Sequence, residues 1–448
     1  MNQPRIDLPT RLLTQLSPWR NAAHWRIAFS GGLDSTVLLH LLVSLAKNQA
    51  LPPLSAIHIH HGLQVVAEAW PEHCRRVCEA LGVPLEVVSV EVRPGASVER
   101  AARDARYAAF TAATQDNEVL LTAQHRDDQA ETLLFRLLRG AGARGLAAMP
   151  RQRPLGRGHL LRPLLDVSRV ELEAYASRHG LSWVEDPSND DHRYARNFLR
   201  QRVFPVLAEQ WPQASTTLAR SAAHLSEAQG LLDELAQIDL ECAMSASAFD
   251  WLGLRSLELA PLRALSAARQ RNALSHWLAP VTKLPDSDHW VGWDSLRDAR
   301  GDGHPVWRLA DGELHRTGGR IWWLSDHWRQ PVSGPIEWPE VDRPLLLPGN
   351  GRVILLGAAP SGALCIRYRQ GGEIMELPGR GHRDLKRLLN ENGVPAFVRG
   401  RLPLLYRGEQ LLGLASLQGF DRGTDGSWQL IWQPRKPRSG FELKGAFR

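Results

Sequence analysis

The chain has no run of about eighteen consecutive apolar residues, so nothing in it reads as a membrane-spanning helix. It is poor in cysteine: Cys74, Cys78, Cys242 and Cys365 are the four present among 448 residues, too few for the disulfide framework of a secreted scaffold. No two of them make a Cys-x-x-Cys pair. The segment from Met1 to Leu16 lacks a signal-peptide apolar core, since Arg5, Asp7 and Arg11 interrupt it; the expectation is no export and a reducing cytoplasm. Internal repeats and long low-complexity segments are also missing. What is there is the balance of a globular protein, 43% hydrophobic and 23% charged. At roughly 100–200 residues per domain, the length predicts two to four domains.

The net charge of +6 is unevenly spread. Residues 366–448 hold 15 Lys/Arg against 8 Asp/Glu, or +7, and the remainder of the chain is at −1. A second excess lies in residues 136–169, where Arg136, Arg139, Arg144, Arg151, Arg153, Arg157, Arg162 and Arg169 face Asp166 alone. One such cluster could be a solvated face; several in one chain point to a phosphate polymer.

Over the first 200 or so residues, short apolar runs alternate with helical patterns. Strands are expected at Trp25–Phe29, Leu54–His58, Leu85–Val90, Glu118–Thr122 and Leu160–Leu165. Helices are expected at Asp34–Val43, Glu68–Leu81, Ser97–Thr114, Asp127–Arg139 and Ser168–His179. That alternation predicts βαβ units and a parallel sheet covered on both faces. After Trp211 the pattern turns helical, at Ser215–Ile238 and Pro261–Leu278, with strands and turns over 305–325. Residues 328–360 are rich in Pro and Gly and suit a linker or an edge. A small α/β unit begins near Ala363. The expected class is α/β: an N-terminal Rossmann-like parallel-sheet domain (1–214), a mainly helical middle domain (215–335), a linker (336–360) and a small basic α/β domain (361–448). Twelve of the sixteen tryptophans lie at or after Trp211, and most are expected to pack rather than stack on bases.

The strongest local signal is Phe29-Ser30-Gly31-Gly32-Leu33-Asp34-Ser35-Thr36, between a strand and a helix. Gly31 and Gly32 allow a tight turn with bare N–H groups, Ser30, Ser35 and Thr36 add hydroxyls, and the helix start adds its positive end. This is a phosphate cradle without the Gly-Lys-Ser/Thr ending of a Walker A loop. A carboxylate among phosphate donors repels the phosphate unless a cation intervenes, so Asp34 is expected to ligate Mg²⁺. Ser-Gly-Gly-x-Asp-Ser after the first strand resembles the PP-loop ATP pyrophosphatases, a resemblance that implies ATP cleavage between the α and β phosphates on Ser30, Gly31, Gly32, Leu33, Asp34 and Ser35.

A second signal is Thr122-Ala123-Gln124-His125-Arg126-Asp127-Asp128-Gln129-Ala130-Glu131-Thr132, at a strand end and helix start. Asp128 and Glu131 share a helix face that can hold Mg²⁺ or an ammonium, and both signals fall at the carboxyl ends of strands, where ligands bind. Within the PP-loop group the chain resembles the tRNA(Ile)-lysidine synthetases. The resemblance rests on His60-His61-Gly62-Leu63, Glu99-x3-Arg103-x2-Arg106-Tyr107, Gln124-His125-x-Asp127-Asp128-Gln129-x-Glu131-Thr132, Arg162-Pro163-Leu164-Leu165, Glu185-Asp186-x-Ser188-Asn189 and Arg196-Asn197-x-x-Arg200. It runs in order from about residue 24 to 211, with weaker matches at Arg269–Leu278 and Gly381–Leu405. One departure is Asp384, where the family has a basic residue before Leu385-Lys386.

That resemblance implies a ligase that adenylates the wobble cytidine of a tRNA(Ile) with a CAU anticodon, then replaces AMP by the side-chain amine of free L-lysine. Asp34, Asp128 and Glu131 are the implied catalytic residues, with Asp34 and Asp128 as metal ligands and Asp128 and Glu131 assigned to Mg²⁺ or the lysine amine. Arg103, Arg106 and His125 are placed near substrate. Arg196 and Arg200, four apart, are expected to face the tRNA backbone, and Lys386 and Arg387 to bind tRNA in the C-terminal domain. ATP and Mg²⁺ are the expected cofactors, with no membrane partner and a monomer or homodimer. The alternatives are another PP-loop enzyme, a tRNA thiolase or an amidating synthetase; the lack of Cys-x-x-Cys speaks against a thiolase.

Overall fold

In the computed structural model, residues 7–62, 65–92, 98–285, 287–300, 303, 305–377, 381–423 and 426–435 are described. Leu63, Ser97 and the side chain of Glu99 lie outside the described residues, as do Lys436, Arg438, Lys444 and Arg448. The chain forms two compact units, Met1–Leu231 and Leu232–Arg448.

The first unit begins with α1 (Leu8–Leu16) and then alternates β1 (His24–Ala28), α2 (Leu33–Ala46), β2 (Leu54–His60), α3 (Trp70–Leu81), β3 (Leu85–Ser89), α4 (Val98–Ala113), β4 (Glu118–Leu121) and α5 (Arg126–Leu137). After the short α6 (Ala143–Leu146) come β5 (Gln152–Leu155), β6 (Gly158–Leu161) and α7 (Arg169–Arg178). The sheet order is β3-β2-β1-β4-β6-β5, parallel except for β5, which pairs antiparallel with β6. The expected α/β class is therefore observed, with one addition. The hairpin strand β5 is too short, and its Pro154 too unlike a strand residue, to stand out from the sequence.

Alternation of side chains divides the core. Trp25, Ile27, Val119 and Leu121 pack on one face with α1, α2, α3 and α7, and Ile57, Ile59, Leu120 and Leu160 pack on the other with Phe110 of α4. Helix α2 is apolar nearly all round (Val37, Leu38, Leu39, Leu41 and Leu42 are buried) because it lies deep against the sheet. At Gly158 a Cβ would meet the Glu118 carbonyl at 2.3 Å, so β6 can approach β4 there only as glycine. Beyond α7 the unit continues through α8 (Ala195–Phe198), a π-helical turn (Leu199–Val203), α9 (Phe204–Gln210) and the first part of α10 (Ala214–Glu241).

In the second unit, helices Leu259–Ala264, Ala267–Leu278 and Val291–Asp298 pack with a four-stranded antiparallel sheet built from Ser256–Glu258, Val306–Leu309, Gly312–Thr317 and Arg320–Ser325. The single helix expected at Pro261–Leu278 is two: Leu265 is extended and the Ser266 side chain caps the second helix at the Arg269 N–H. Residues 336–360 carry strands. Ile336–Glu337 edges a four-stranded sheet, and Leu345–Leu347 and Gly351–Gly357 pair with each other and with Trp428–Gln433. Trp338, Leu347 and Val353 from this stretch are buried in the core. Nine of the twelve later tryptophans are buried, as packing residues should be.

Candidate active site

The loop after β1 is knitted by its own hydroxyls. Ser35 Oγ donates to the Gly32 carbonyl at 3.0 Å, accepts from the Ser30 N–H at 3.2 Å, and lies 3.0 Å from Ser30 Oγ. Thr36 Oγ1 donates to the same carbonyl at 3.0 Å. Gly31 sits at φ +84°, and a Cβ there would press on Cys74 Sγ at 3.0 Å and Val184 Cγ2 at 3.2 Å. Its carbonyl accepts the Val184 N–H at 2.9 Å, a partner with no sequence signal. The turn therefore requires glycine and is held rigid. Gly32 is the N-cap residue of α2 and offers no side chain, leaving the start of the helix open for an anion.

Asp34, in the first turn of α2, meets the second motif. His125 is buried at the N-cap of α5, and its Nε2 lies 3.6 Å from Asp34 Oδ2 and 3.6 Å from Asp128 Oδ2. Its Nδ1 accepts the Asp127 N–H at 3.2 Å, so in the neutral ring the proton is on Nε2, facing the carboxylates. Burial disfavours a second proton on this ring, but Asp128, Asp127 and Asp34 outweigh it and hold the imidazole above its ordinary value. Asp128 closes a capping box by accepting the His125 N–H at 3.1 Å. Asp127 Oδ2 lies 3.5 Å from His125 Nδ1 and accepts the Arg169 N–H at 2.9 Å. One histidine thus joins the loop carboxylate to the helix carboxylates.

Arg200 fills the other side. Its Nε donates to Glu131 Oε1 at 2.6 Å, and its Nη2 to Glu131 Oε2 at 2.9 Å and Asp128 Oδ1 at 3.0 Å. Burial works against its charge, but Glu131 and Asp128 hold the guanidinium above its ordinary value. Glu131 is pushed up by burial against the pull of Arg200, and Asp34 is pushed up by burial against that of His125. Arg196 donates to Thr132 Oγ1 at 3.2 Å. Arg196 and Arg200 do face one way, as the spacing predicts, and that way is toward α5. Of the nearby acids, Asp191 pairs with Arg193 at 2.7 Å and Asp190 accepts from Gln201.

Two polar atoms here, Asp34 Oδ1 and His125 Nε2, are buried without a hydrogen-bond partner. Buried polar groups are nearly always paired, so a bound ion or ligand here would satisfy them. Among the described residues no group of three or more His, Cys, Asp or Glu is placed to hold a metal alone. Mg²⁺, which takes one or two carboxylates together with substrate phosphates, fits such a site.

Arg103 and Arg106 are exposed on α4. His60 and His61, with Gly62, line an open cleft with Ser89, Val90, Glu91 and Val92 at the carboxyl ends of β2 and β3. Lys386 and Arg387 are exposed in the second unit on helix Leu385–Glu391, where Asp384 accepts the Arg387 N–H at 2.9 Å as the N-cap. The acidic departure from the family pattern is thus a helix cap.

A doubly covered parallel sheet with this loop at a strand end defines a PP-loop, ATP-using domain, and the comparisons agree. Residues 7–207 match the PP-loop domain, 257–322 the TilS substrate binding domain and 364–432 the TilS substrate C-terminal domain. A tRNA(Ile)-lysidine synthase of Pseudomonas fluorescens (strain Pf0-1) is 67% identical over 98% of this chain and 100% of its own. One of Pseudomonas syringae pv. tomato is 64% identical over 95% and 96%. A solved structure of the U34-tRNA thiolase NcsA from Methanococcus maripaludis is similar at a TM-score of 0.41 and 17% identity over 49% of this chain and 77% of that one, a likeness too low to bear weight. The chain belongs to the tRNA(Ile)-lysidine synthase family.

Proposed function

We propose that the protein adenylates the wobble cytidine of a CAU-anticodon tRNA(Ile) with ATP and joins that base to the side-chain amine of free L-lysine. The observation that carries this reading is the meeting of the loop carboxylate Asp34 with Asp128 and Glu131 through His125 and Arg200. In this reading the Ser30–Ser35 loop cradles phosphates beside an acidic cluster suited to an amine.

The Ser30–Ser35 loop and the start of α2 hold the nucleotide's phosphates. The cytidine, turned out of its stack, offers O2 to the α-phosphorus; the O–P bond forms and pyrophosphate leaves. Asp34 and Asp128 would hold Mg²⁺, which would supply charge neutralisation for the phosphates. Asp128 and Glu131 receive the lysine ammonium, and Arg200 holds both carboxylates in place. An amine attacks only when neutral, and Glu131, raised by burial, is suited to take its proton. The C2–N bond then forms as the C2–O bond to AMP breaks. Exposed Lys386 and Arg387 add contacts to tRNA phosphates. ATP and tRNA imply a cytoplasmic setting.

Sulfur transfer finds no support in the cysteines. Cys74 and Cys78 are buried, and burial pushes their thiols up to about 12 and about 11, far from a reactive thiolate. The test uses purified protein, ATP, Mg²⁺ and CAU-anticodon tRNA(Ile), with and without lysine, followed by nucleoside mass analysis. A lysine-dependent mass gain on the anticodon cytidine, lost in Asp34→Ala, is expected; pyrophosphate release without the modified base would return the substrate to question.

A further inference from the structure

A group of arginines in the first unit has no part in the reaction above. The ring centroid of Tyr107, on α4, lies 4.8 Å from the Cζ of Arg103 and 4.9 Å from that of Arg153, on β5. Arg162, which follows β6 and is buried, interacts electrostatically with the Tyr107 phenol. Three cations thus gather on one neutral ring. Among the described residues none of the three forms an ion pair with a carboxylate. Arg153 donates to the Pro154 carbonyl at 3.2 Å and Arg162 to that of Pro150 at 2.7 Å. Asp104, beside Arg103 in sequence, lies 3.7 Å from Arg100.

The run of positive charge leads back to the acid centre. Arg196 bonds Thr132, the residue after Glu131 on α5, and Arg136 lies one turn further along that helix, donating to the Gly145 and Ala148 carbonyls at 2.8 Å each. Burial first, and then the charges of Arg196 and Arg103, hold the Arg136 guanidinium below its ordinary value. Burial pushes the Tyr107 phenol up, but Arg103, Arg162 and Arg153 outweigh it and leave it below its ordinary value.

Gathering like charges costs free energy that each cation–π contact offsets in part. A bound polyanion removes the rest. The ATP phosphates already have their cradle in the Ser30–Ser35 loop. Cations spread along α4, α5 and the β5–β6 hairpin suit a chain of phosphates rather than a single cluster of them.

We propose that Tyr107, beside the buried Arg162, seats Arg103 and Arg153 as a phosphate-binding platform that grips the RNA backbone next to the reacting cytidine. This rests on the functional reading given above. It adds Tyr107 and Arg153, and assigns Arg103 to backbone phosphate.

The test measures tRNA affinity against salt for the full chain, with ATP affinity in parallel, for Arg153→Gln and the double variant Arg103→Gln/Arg153→Gln. The double variant should bind tRNA about tenfold more weakly. Its slope of log affinity against log salt should shrink by about 1.4, two contacts to single-stranded phosphate, with ATP affinity unchanged. Arg153→Lys should keep most of the slope. Weaker tRNA binding with an unchanged slope would make the cluster merely structural and overturn the proposal. So would weaker ATP binding with tRNA unaffected, which would assign these phosphate contacts to the nucleotide. Lys386→Glu/Arg387→Glu serves as the reference. If it weakens tRNA binding and the double variant does not, the platform alone falls; if the unaltered protein has no affinity for tRNA, the functional reading falls first.

Discussion

Arg200, half-buried in the first unit, and Arg401, buried in the second, have partners that differ in kind. Arg200 meets two carboxylates, Glu131 and Asp128. Arg401, only 6% exposed, meets neutral oxygens: the carbonyls of Trp328 at 3.2 Å, Gln330 at 2.5 Å and Gly349 at 2.6 Å, and Asn350 Oδ1 at 3.2 Å. Its Cζ also lies 5.3 Å from the Trp328 ring centroid. Burial lowers the Arg401 pKa, whereas the carboxylates raise that of Arg200. The contrast separates two uses of a partly or fully buried cation. An arginine given anionic partners orders charges for chemistry and can exchange them with a substrate. One given carbonyls uses its fixed fork of donors to tie loops together.

The largest effect that would test this distinction is at Arg200. Arg200→Ala leaves Asp128 and Glu131 without their cation and should cost about a hundredfold or more in lysine-dependent turnover, since stripping a partner from a desolvated pair costs several kcal/mol before allowance for partial exposure. Arg200→Lys keeps the charge but cannot bridge two carboxylates, and should recover part of the loss. Steady-state rates at saturating ATP with lysine varied would report it. An unchanged KM for lysine in both variants would remove Arg200 from the amine site.

Next is Arg401→Met, of similar length but with no donors. It leaves several buried carbonyls short of a partner and should destabilise the second unit by about 2–3 kcal/mol. A thermal melt should show that loss while ATP binding, a property of the first unit, survives. An unchanged melting temperature would mean that water replaces the guanidinium and that the contrast with Arg200 is one of geometry alone.

The comparison also explains what could be read from the chain. The Ser30–Thr36 loop was legible because its chemistry is contiguous: the turn, the hydroxyls and the carboxylate lie within seven residues. Asp128 and Glu131 were legible because helical spacing places them on one face. The direction taken by Arg200 was not, because it depends on how α8 and the π-helical turn Leu199–Val203 come to rest beside α5, a tertiary outcome with no local signal. The Tyr107 cluster joins residues up to 59 positions apart through a hairpin whose strand β5 was itself unforeseen. Proline content concealed the strands of residues 336–357, although Leu345, Leu347, Val353 and Leu355 already alternate. The Ser266 cap was within reach, since a serine at the start of an Ala-rich helical run is a start signal.

The smallest predicted effect sharpens the comparison from the second unit's side. Asp384 is an anion on a helix that presents Lys386 and Arg387, and its side chain is committed to the Arg387 N–H. Arg387 Nε also donates to Glu391 at 2.9 Å across one turn. Asp384→Ala removes a cap worth about 1 kcal/mol and, at the same time, a negative charge beside two phosphate-seeking cations. Stability should therefore fall slightly while tRNA affinity rises a few-fold at low salt, with the gain fading as salt is added. A melt and a binding titration on the same preparation would distinguish the two effects. If affinity falls together with stability, Asp384 serves RNA through the helix it caps, and its charge is of no consequence to the phosphates.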